Sequence, residues 1–320
     1  MATSFLLVAA TVGLDAQPTG KTHRIGYLSS LSASGGRPHF EAVRQGLRDL
    51  GYVEGRRLLI EARWAEGNYE RLPDLARELV ALNLDLIVSA GGPPAARALK
   101  STTMAIPIVF VSGSAVATGI VSSLARPGGN LTGLEVFAEE LDPKRLELLK
   151  ETLPRAARVA VLWNPQNLEG RLQRRELEAA AQIQGMRLRF VEAARPDALE
   201  PALAVMARER ADALLVLADP MFTSEYRRLV ELAARTRIPA IYPFRGFAEA
   251  GGFMSYGTDL LAVYRDAAAY VDKILTGARP GDLPVQQPTK FELVINLGTA
   301  RALGVTIPQG LMARADQLIQ

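Results

Sequence analysis

Short apolar runs alternate along this chain with longer stretches in which apolar residues recur every three or four positions. Side chains repeat every two residues along a strand and every 3.6 along a helix, so the runs predict strands and the longer stretches predict amphipathic helices. Strands are expected over 24–29, 58–64, 84–89, 106–111 and 131–136, with helices over 39–50, 69–82 and 94–100 between them. The series then restarts: helices over 139–153, 168–184, 199–208 and 224–236 alternate with strands over 159–163, 187–191, 213–217 and 239–242. Such alternation predicts parallel sheets with helices on both faces and right-handed crossovers. Two series in one chain predict an α/β protein of two doubly wound parallel-sheet lobes, with the seam near 135–138, just after the turn-rich RPGGNLTG (126–133). The rest, strands at 253–256 and 291–296 and a long helix at 260–275, fits neither lobe alone. A chain that crosses between lobes more than once accounts for it.

The chain has 320 residues, 48% hydrophobic and 22% charged, enough for two cores. Its net charge of +3 is spread among interleaved acidic residues with no basic block, which argues against a nucleic-acid partner. Cysteine is absent, which excludes disulfides, zinc–thiolate sites and a lipid-modified N-terminal Cys. The two histidines, His23 and His39, have no metal-ligand spacing to a partner, and neither metal nor cofactor is expected. The run FLLVAATVGL (5–14) is too short to span a bilayer and suits a signal-peptide core, with Ala16 as the small residue before cleavage. Residues 1–23 are therefore read as a leader and the mature protein as periplasmic. The missing Lys or Arg before the run departs from that pattern, and a mis-assigned start codon explains it. TGKT (19–22) precedes the first strand and lacks the earlier glycine of a phosphate-binding loop; no G-x-G-x-x-G follows the first strand and no G-x-S-x-G is present.

In open parallel α/β sheets, ligands sit outside the carboxyl ends of the strands. Those ends carry Ser29 and Ser30 after the first strand, Ser89, Gly91 and Gly92 after the third, and Ser112 and Gly113 after the fourth. Hydroxyls, backbone amides and helix N-termini suit an anionic or polar group. The second series offers Asn164, Asp219, Tyr242 and Phe244, while Phe137 and Tyr256 fall at expected hinge positions. Trp163 is read equally as a cleft or a core residue, and Asp219 either as a ligand contact or as a turn cap. Together these residues suit a small ligand with one polar end and a flat apolar body, an aromatic amino acid or an aromatic carboxylate, with Arg245 nearby. No nucleophile–base pair is present, so catalysis is not expected; an enzyme working through Asp219 is the alternative. A sugar-repressor-like sensor would need a DNA-binding headpiece before the first lobe, where only the apolar leader stands.

The strings IGYLSS (25–30), RQGLRDLGYVEGRRLLIEARWAEG (44–67) and IPIVFVSGSAVATGIVSSLARPGGNLTGL (106–134) resemble ABC-transporter substrate-binding proteins related to tryptophan/tyrosine binding proteins. So do LLVLADPMF (214–222), AGGFMSYG (250–257) and LPVQQPTKFELVINLGTARALGVTIP (283–308). The resemblance implies the type I periplasmic binding protein fold, two lobes joined by three hinge crossings at 135–138, 256–258 and about 285–289. Lobe 1 would then be 24–135 plus 257–287, and lobe 2 would be 136–256 plus 288–320. It also implies a monomer that captures a small molecule for an ABC permease and its ATPase at the membrane. Many relatives carry Asp-Pro where this chain has Ser114-Ala115, which weakens the expectation of an amino-acid ligand.

Overall fold

The structure is a computed structural model that describes residues 21–137 and 140–320. Most of the leader expected at 1–23, and Ala138 at the first expected crossing, lie outside the described residues. The first lobe is built from β1 (His23–Ser29), α1 (Ala33–Asp49), β2 (Leu58–Trp64), α2 (Leu72–Val80), β3 (Leu86–Ala90), α3 (Pro93–Thr102), β4 (Ile108–Ser112) and β5 (Leu131–Glu135). Its sheet runs β2-β1-β3-β4-β5, all parallel. The second lobe follows with α4 (Asp142–Thr152), β6 (Arg158–Trp163), α5 (Leu168–Ile183), β7 (Arg187–Glu192), α6 (Leu199–Arg208) and β8 (Ala213–Val216). It continues through α7 (Pro220–Ser224), α8 (Tyr226–Thr236), β9 (Ala240–Tyr242), α9 (Arg245–Glu249) and β10 (Met254–Thr258). After α10 (Leu260–Leu275) come β11 (Phe291–Asn296), α11 (Leu297–Leu303), α12 (Gln309–Arg314) and β12 (Gln317–Ile319). The second sheet runs β7-β6-β8-β9-β10-β11-β12.

Both sheets thus place their first strand between their second and third, and the strand order reverses at β1/β3 and at β6/β8. The strands are buried on both faces, which is why they read as continuous apolar runs. In β3, Leu86, Val88 and Ala90 face α1 and α10, while Ile87 faces α2 and α3. Val263, Tyr264, Ala267 and Val271 of α10 join Val43 and Leu47 of α1 in that first-lobe core, although α10 follows ten strands in sequence. Each valine or leucine among them contributes about 1.5–3 kcal/mol by leaving water.

The chain passes between lobes after β5, after β10 and before β11. β10 ends at the hinge and sends the chain to α10, whereas β11 starts from the hinge on its return. β11 therefore pairs antiparallel with β10, an exception to the parallel pairing expected from the sequence. On the first-lobe side, Gln286 pairs beside Leu134, with Gln286 N–H donating to Gly133 O at 3.0 Å. Thr258 Oγ1 donates to Val136 O at 2.6 Å and so ties two crossings together. A buried arginine fixes the same region: Arg145 of α4 donates to Tyr256 O at 2.8 Å, to Pro243 O at 3.4 Å and to Asp142 Oδ1 at 2.5 Å. Burial pushes the Asp142 carboxyl up to about 6, against the pull of Arg145.

Two elements differ from the sequence expectation in ways that shape the site. α1 begins at Ala33, not at 39, because Ser32 caps it by accepting from Gly35 N–H at 3.0 Å. The glycines that read as a loop are its first turn, where bulk is forbidden: a Cβ on Gly35 would lie 2.6 Å from Ser224 Cα, and one on Gly36 would lie 2.5 Å from the Trp64 ring. The helix expected at 224–236 is present as α8, but a short helix that was not expected, α7, precedes it and is capped by Asp219.

Candidate functional site

The two switch points face each other across the seam, and the lobes are in contact there. Tyr69 Oη of the first lobe donates to Asp219 Oδ2 at 2.8 Å, and Ser32 N–H donates to Ser224 Oγ at 2.9 Å. Gly67 lies against Met221, where even a Cβ would stand only 3.4 Å from its Cγ. Behind these contacts lies a cavity between the lobes. Its first-lobe wall is Leu31, His39, Gly91, Gly92, Val111 and Gly113; Val136, Leu260 and Tyr264 close the hinge side. The second lobe contributes Glu169, Ala218, Asp219, Pro220, Thr223 and Phe244.

Of the residues singled out from sequence, Gly91, Gly92, Gly113, Asp219 and Phe244 reach this cavity. Ser29, Ser30, Ser89 and Ser112 lie fully buried at the strand ends behind it. Ser29 Oγ accepts from Leu31 N–H at 3.1 Å and Ser112 Oγ donates to Gly113 O at 3.1 Å, whereas Ser30 Oγ and Ser89 Oγ have no hydrogen-bond partner among the described residues. Gly91 and Gly92 have φ of +75° and +77°, a conformation that favours glycine. Gly91 N–H donates to Tyr264 Oη at 2.9 Å. α3 opens on Pro93 and Pro94, which carry no N–H, so this end offers fewer donors to an anion than its position in the fold suggests.

Asp219 is saturated. It accepts from Tyr69 Oη, from Asn164 Nδ2 and Asn167 Nδ2 at 3.2 Å each, and from Met221 N–H at 2.9 Å and Phe222 N–H at 3.4 Å. Burial raises its pKa while these donors oppose the rise. The turn-cap geometry is thus present, and Asp219 also lines the cavity. Asn164, 2% exposed, serves it from behind.

The aromatic residues divide. Tyr242 is buried and stacks on Phe247 at 5.0 Å, because alternation along β9 turns it with Ala240 toward the helices of its own lobe. Trp163 is in the core, edge-on to Phe190 at 6.2 Å. Phe137 stacks on Phe291 at 6.3 Å, and Tyr256 packs against the same ring at 6.3 Å, so the three crossings share an aromatic cluster. Arg245 is engaged with Glu249 and Glu292. Phe244 alone of these reaches across, packing against both lobes.

Three ionisable cavity residues were not anticipated. His39 stacks on Tyr264 at 4.7 Å; burial lowers its pKa to about 4, so the ring is neutral, and its Nδ1 has no hydrogen-bond partner among the described residues. Burial raises the Tyr264 hydroxyl to about 12. Both residues come from helices, and only packing brings them over the strand ends. Glu169, 4% exposed, lies in the first turn of α5, and its N–H donates to Asn167 Oδ1 at 3.1 Å. Reading one residue beyond NPQNL (164–168) would have reached it.

Ser114-Ala115 also has a local account. Ala115 N–H donates to the buried Glu135 Oε1 at 2.8 Å, a bond that proline at this position could not make.

Two α/β lobes joined by three crossings, with a cavity at their facing switch points, define a ligand-capturing protein of the type I periplasmic binding fold. Residues 28–319 match the family of ABC transporter substrate binding proteins, and the chain belongs to that family. It is 26% identical over 271 residues to a tyrosine-binding protein of Clostridioides difficile, covering 83% of this chain and 77% of that one. A conserved domain protein from Vibrio cholerae superposes with a TM-score of 0.87 at 30% identity, covering 93% of this chain and 100% of that one. An ABC domain from Streptococcus pneumoniae, solved in complex with L-Trp, superposes with a TM-score of 0.85 at 25% identity over 93% and 100% of the two chains. Proteins of this class bind small ligands and work with ABC permease components. Among the described residues no helix is long and apolar enough to cross a membrane, and no cluster of His, Cys, Asp and Glu could hold a metal ion.

Proposed function

We propose that this chain is the extracytoplasmic capture component of an ABC importer, and that its ligand is an aromatic amino acid or an aromatic carboxylate. The observation that carries this reading is the cavity itself, which lies between the lobes with the rings of His39, Tyr264 and Phe244 in its walls. A flat apolar body fits between such rings, and offset aromatic pairs add about 0.5–1.5 kcal/mol beyond area burial. The tyrosine-binding and L-Trp-bound relatives support the same choice. In this reading the lobes, 24–135 plus 257–287 and 136–256 plus 288–320, close as rigid bodies on the ligand. The protein works as a periplasmic monomer with a permease and its ATPase, needs no cofactor and performs no chemistry. Holding a ligand requires shape and hydrogen bonds but no general base.

Calorimetric titration of tryptophan, tyrosine, phenylalanine and a set of benzoates tests the ligand class. At least one is expected to bind below roughly 100 μM, about −5.5 kcal/mol. Tight binding of a polyol or aliphatic acid with none of these would overturn the aromatic reading. Small-angle scattering with the bound compound is expected to show a smaller radius of gyration than without it.

A further inference from the structure

The first-lobe wall of the cavity narrows the ligand further, and the inference rests on the capture function proposed above. That wall is apolar, with Leu31 and Val111 in it and Val136 and Leu260 closing its hinge side. Two polar side chains interrupt it, His39 and Tyr264, stacked at 4.7 Å with 25° between their planes. They are only 8% and 3% exposed. Buried polar groups are rarely left unpaired, yet both have hydrogen-bonding capacity that the protein does not use. Neither ring nitrogen of His39 makes a hydrogen bond among the described residues, and Nδ1 is shut off from solvent. The edge that an occupant of the cavity meets is thus the one carrying Nε2. An orphaned buried N–H is rarer than an orphaned lone pair, so the ring proton is assigned to Nε2. Tyr264 Oη accepts from Gly91 N–H at 2.9 Å, and its own proton has no acceptor among the described residues.

Two neutral donors in an apolar wall suit an uncharged acceptor oxygen on the body of the ligand. Burial keeps the imidazole neutral, so it offers a hydrogen bond and no charge. The carboxylates and the aliphatic hydroxyl of the cavity, Glu169, Asp219 and Thr223, come from the second lobe, which leaves the wall around His39 to the ring of the ligand. We infer that His39 and Tyr264 are specificity-determining residues: they donate to an oxygen carried on that ring, and the cavity selects hydroxylated aromatic compounds over the same compounds without the hydroxyl.

Pairs of compounds that differ by one oxygen test this. L-tyrosine against L-phenylalanine, and 4-hydroxyphenylacetate against phenylacetate, are titrated calorimetrically into the purified full chain. In at least one pair the hydroxylated member is expected to bind about tenfold or more tighter. His39→Phe keeps a ring against Tyr264 and removes the nitrogens. In that variant the preference is expected to fall to within about threefold, through weaker binding of the hydroxylated member alone. If circular dichroism shows the variant misfolded, Tyr264→Phe decides by the same criterion. Equal affinities within each pair in wild type, or a preference that survives in the folded variant, would overturn the inference. If no aromatic compound binds, the aromatic reading fails separately, and 6-hydroxyhexanoate against hexanoate puts the same question to wild type and variant. A preference for the hydroxy acid that His39→Phe removes upholds the donor role of His39; any other result overturns it.

Discussion

At the scale of single residues, the site depends on groups whose partners lie far away in sequence. Asp219 has five donors, and only one of them, Tyr69, comes from the other lobe. Tyr69→Phe removes that bond and leaves the α7 cap intact. It is expected to cost about 0.5–1.5 kcal/mol of ligand affinity, the net worth of one hydrogen bond, with little change in the melting temperature of the ligand-free chain. Asp219→Ala, by contrast, orphans several buried donors and is expected to lower stability itself by about 1–3 kcal/mol, seen as a shifted urea midpoint. His39 gives a pH signature. Its folded pKa is about 4 against an ordinary 6.5, so between these values the unfolded chain binds the extra proton and stability rises with pH. The contribution is complete above about 6.5 and lost as pH falls toward 4, amounting to at most about 3 kcal/mol. Asp142, raised to about 6, runs the other way over part of that window. The difference between wild type and His39→Phe, measured from pH 4 to 7, therefore isolates the histidine: it should grow in favour of wild type as pH rises.

At the scale of elements, the first turn of α1 is shaped by the neighbouring lobe. A glycine pair inside a helix weakens it locally, by about 1 kcal/mol per residue relative to alanine. Gly35 remains because α7 docks there, with Ser224 Cα only 2.6 Å from where a Cβ would be. Gly35→Ala should thus improve α1 and obstruct closure. The expected result is a ligand-free melting temperature that does not fall, together with a loss of ligand affinity of about tenfold or more. A parallel loss of both would mean that the glycine serves the lobe and not the closure.

At the scale of the whole molecule, Arg145 joins α4 to two segments near the crossings. It holds Tyr256 O and Pro243 O, and Gly257 packs so closely that a Cβ would stand 1.9 Å from Pro243 O. Breaking a buried ion pair by removing one partner costs about 3–5 kcal/mol, whereas replacing both by apolar groups is often neutral. Arg145→Met is expected to lose that much in chemical unfolding, and Arg145→Met with Asp142→Leu to recover a large part of it. The carbonyls of Tyr256 and Pro243 would still lack their donor, so recovery should stop short of wild type.

The sequence by itself determined the parts whose causes are local. Alternation of apolar runs and helical periodicity gave the two α/β series; the helices at Leu199–Arg208 and Leu260–Leu275 and the strand at Phe291–Asn296 fall at their predicted limits. Strand ends and switch points follow from those elements, so Gly91, Gly92, Gly113, Asp219 and Phe244 were readable as cavity residues. Tertiary structure decided what depends on which face of an element is covered. A strand's alternation does not say which side meets the cleft, and so Tyr242 and Trp163 lie in the core. Periodicity does not say which helix will lie over a strand end, and so His39 and Tyr264 emerged only once α1 and α10 packed together. The electrostatic character of the cavity was hidden for the same reason. Glu169 and Asp219 are separate single acids along the chain and neighbours only through Asn167, because charge acts across space and the fold alone sets the distances.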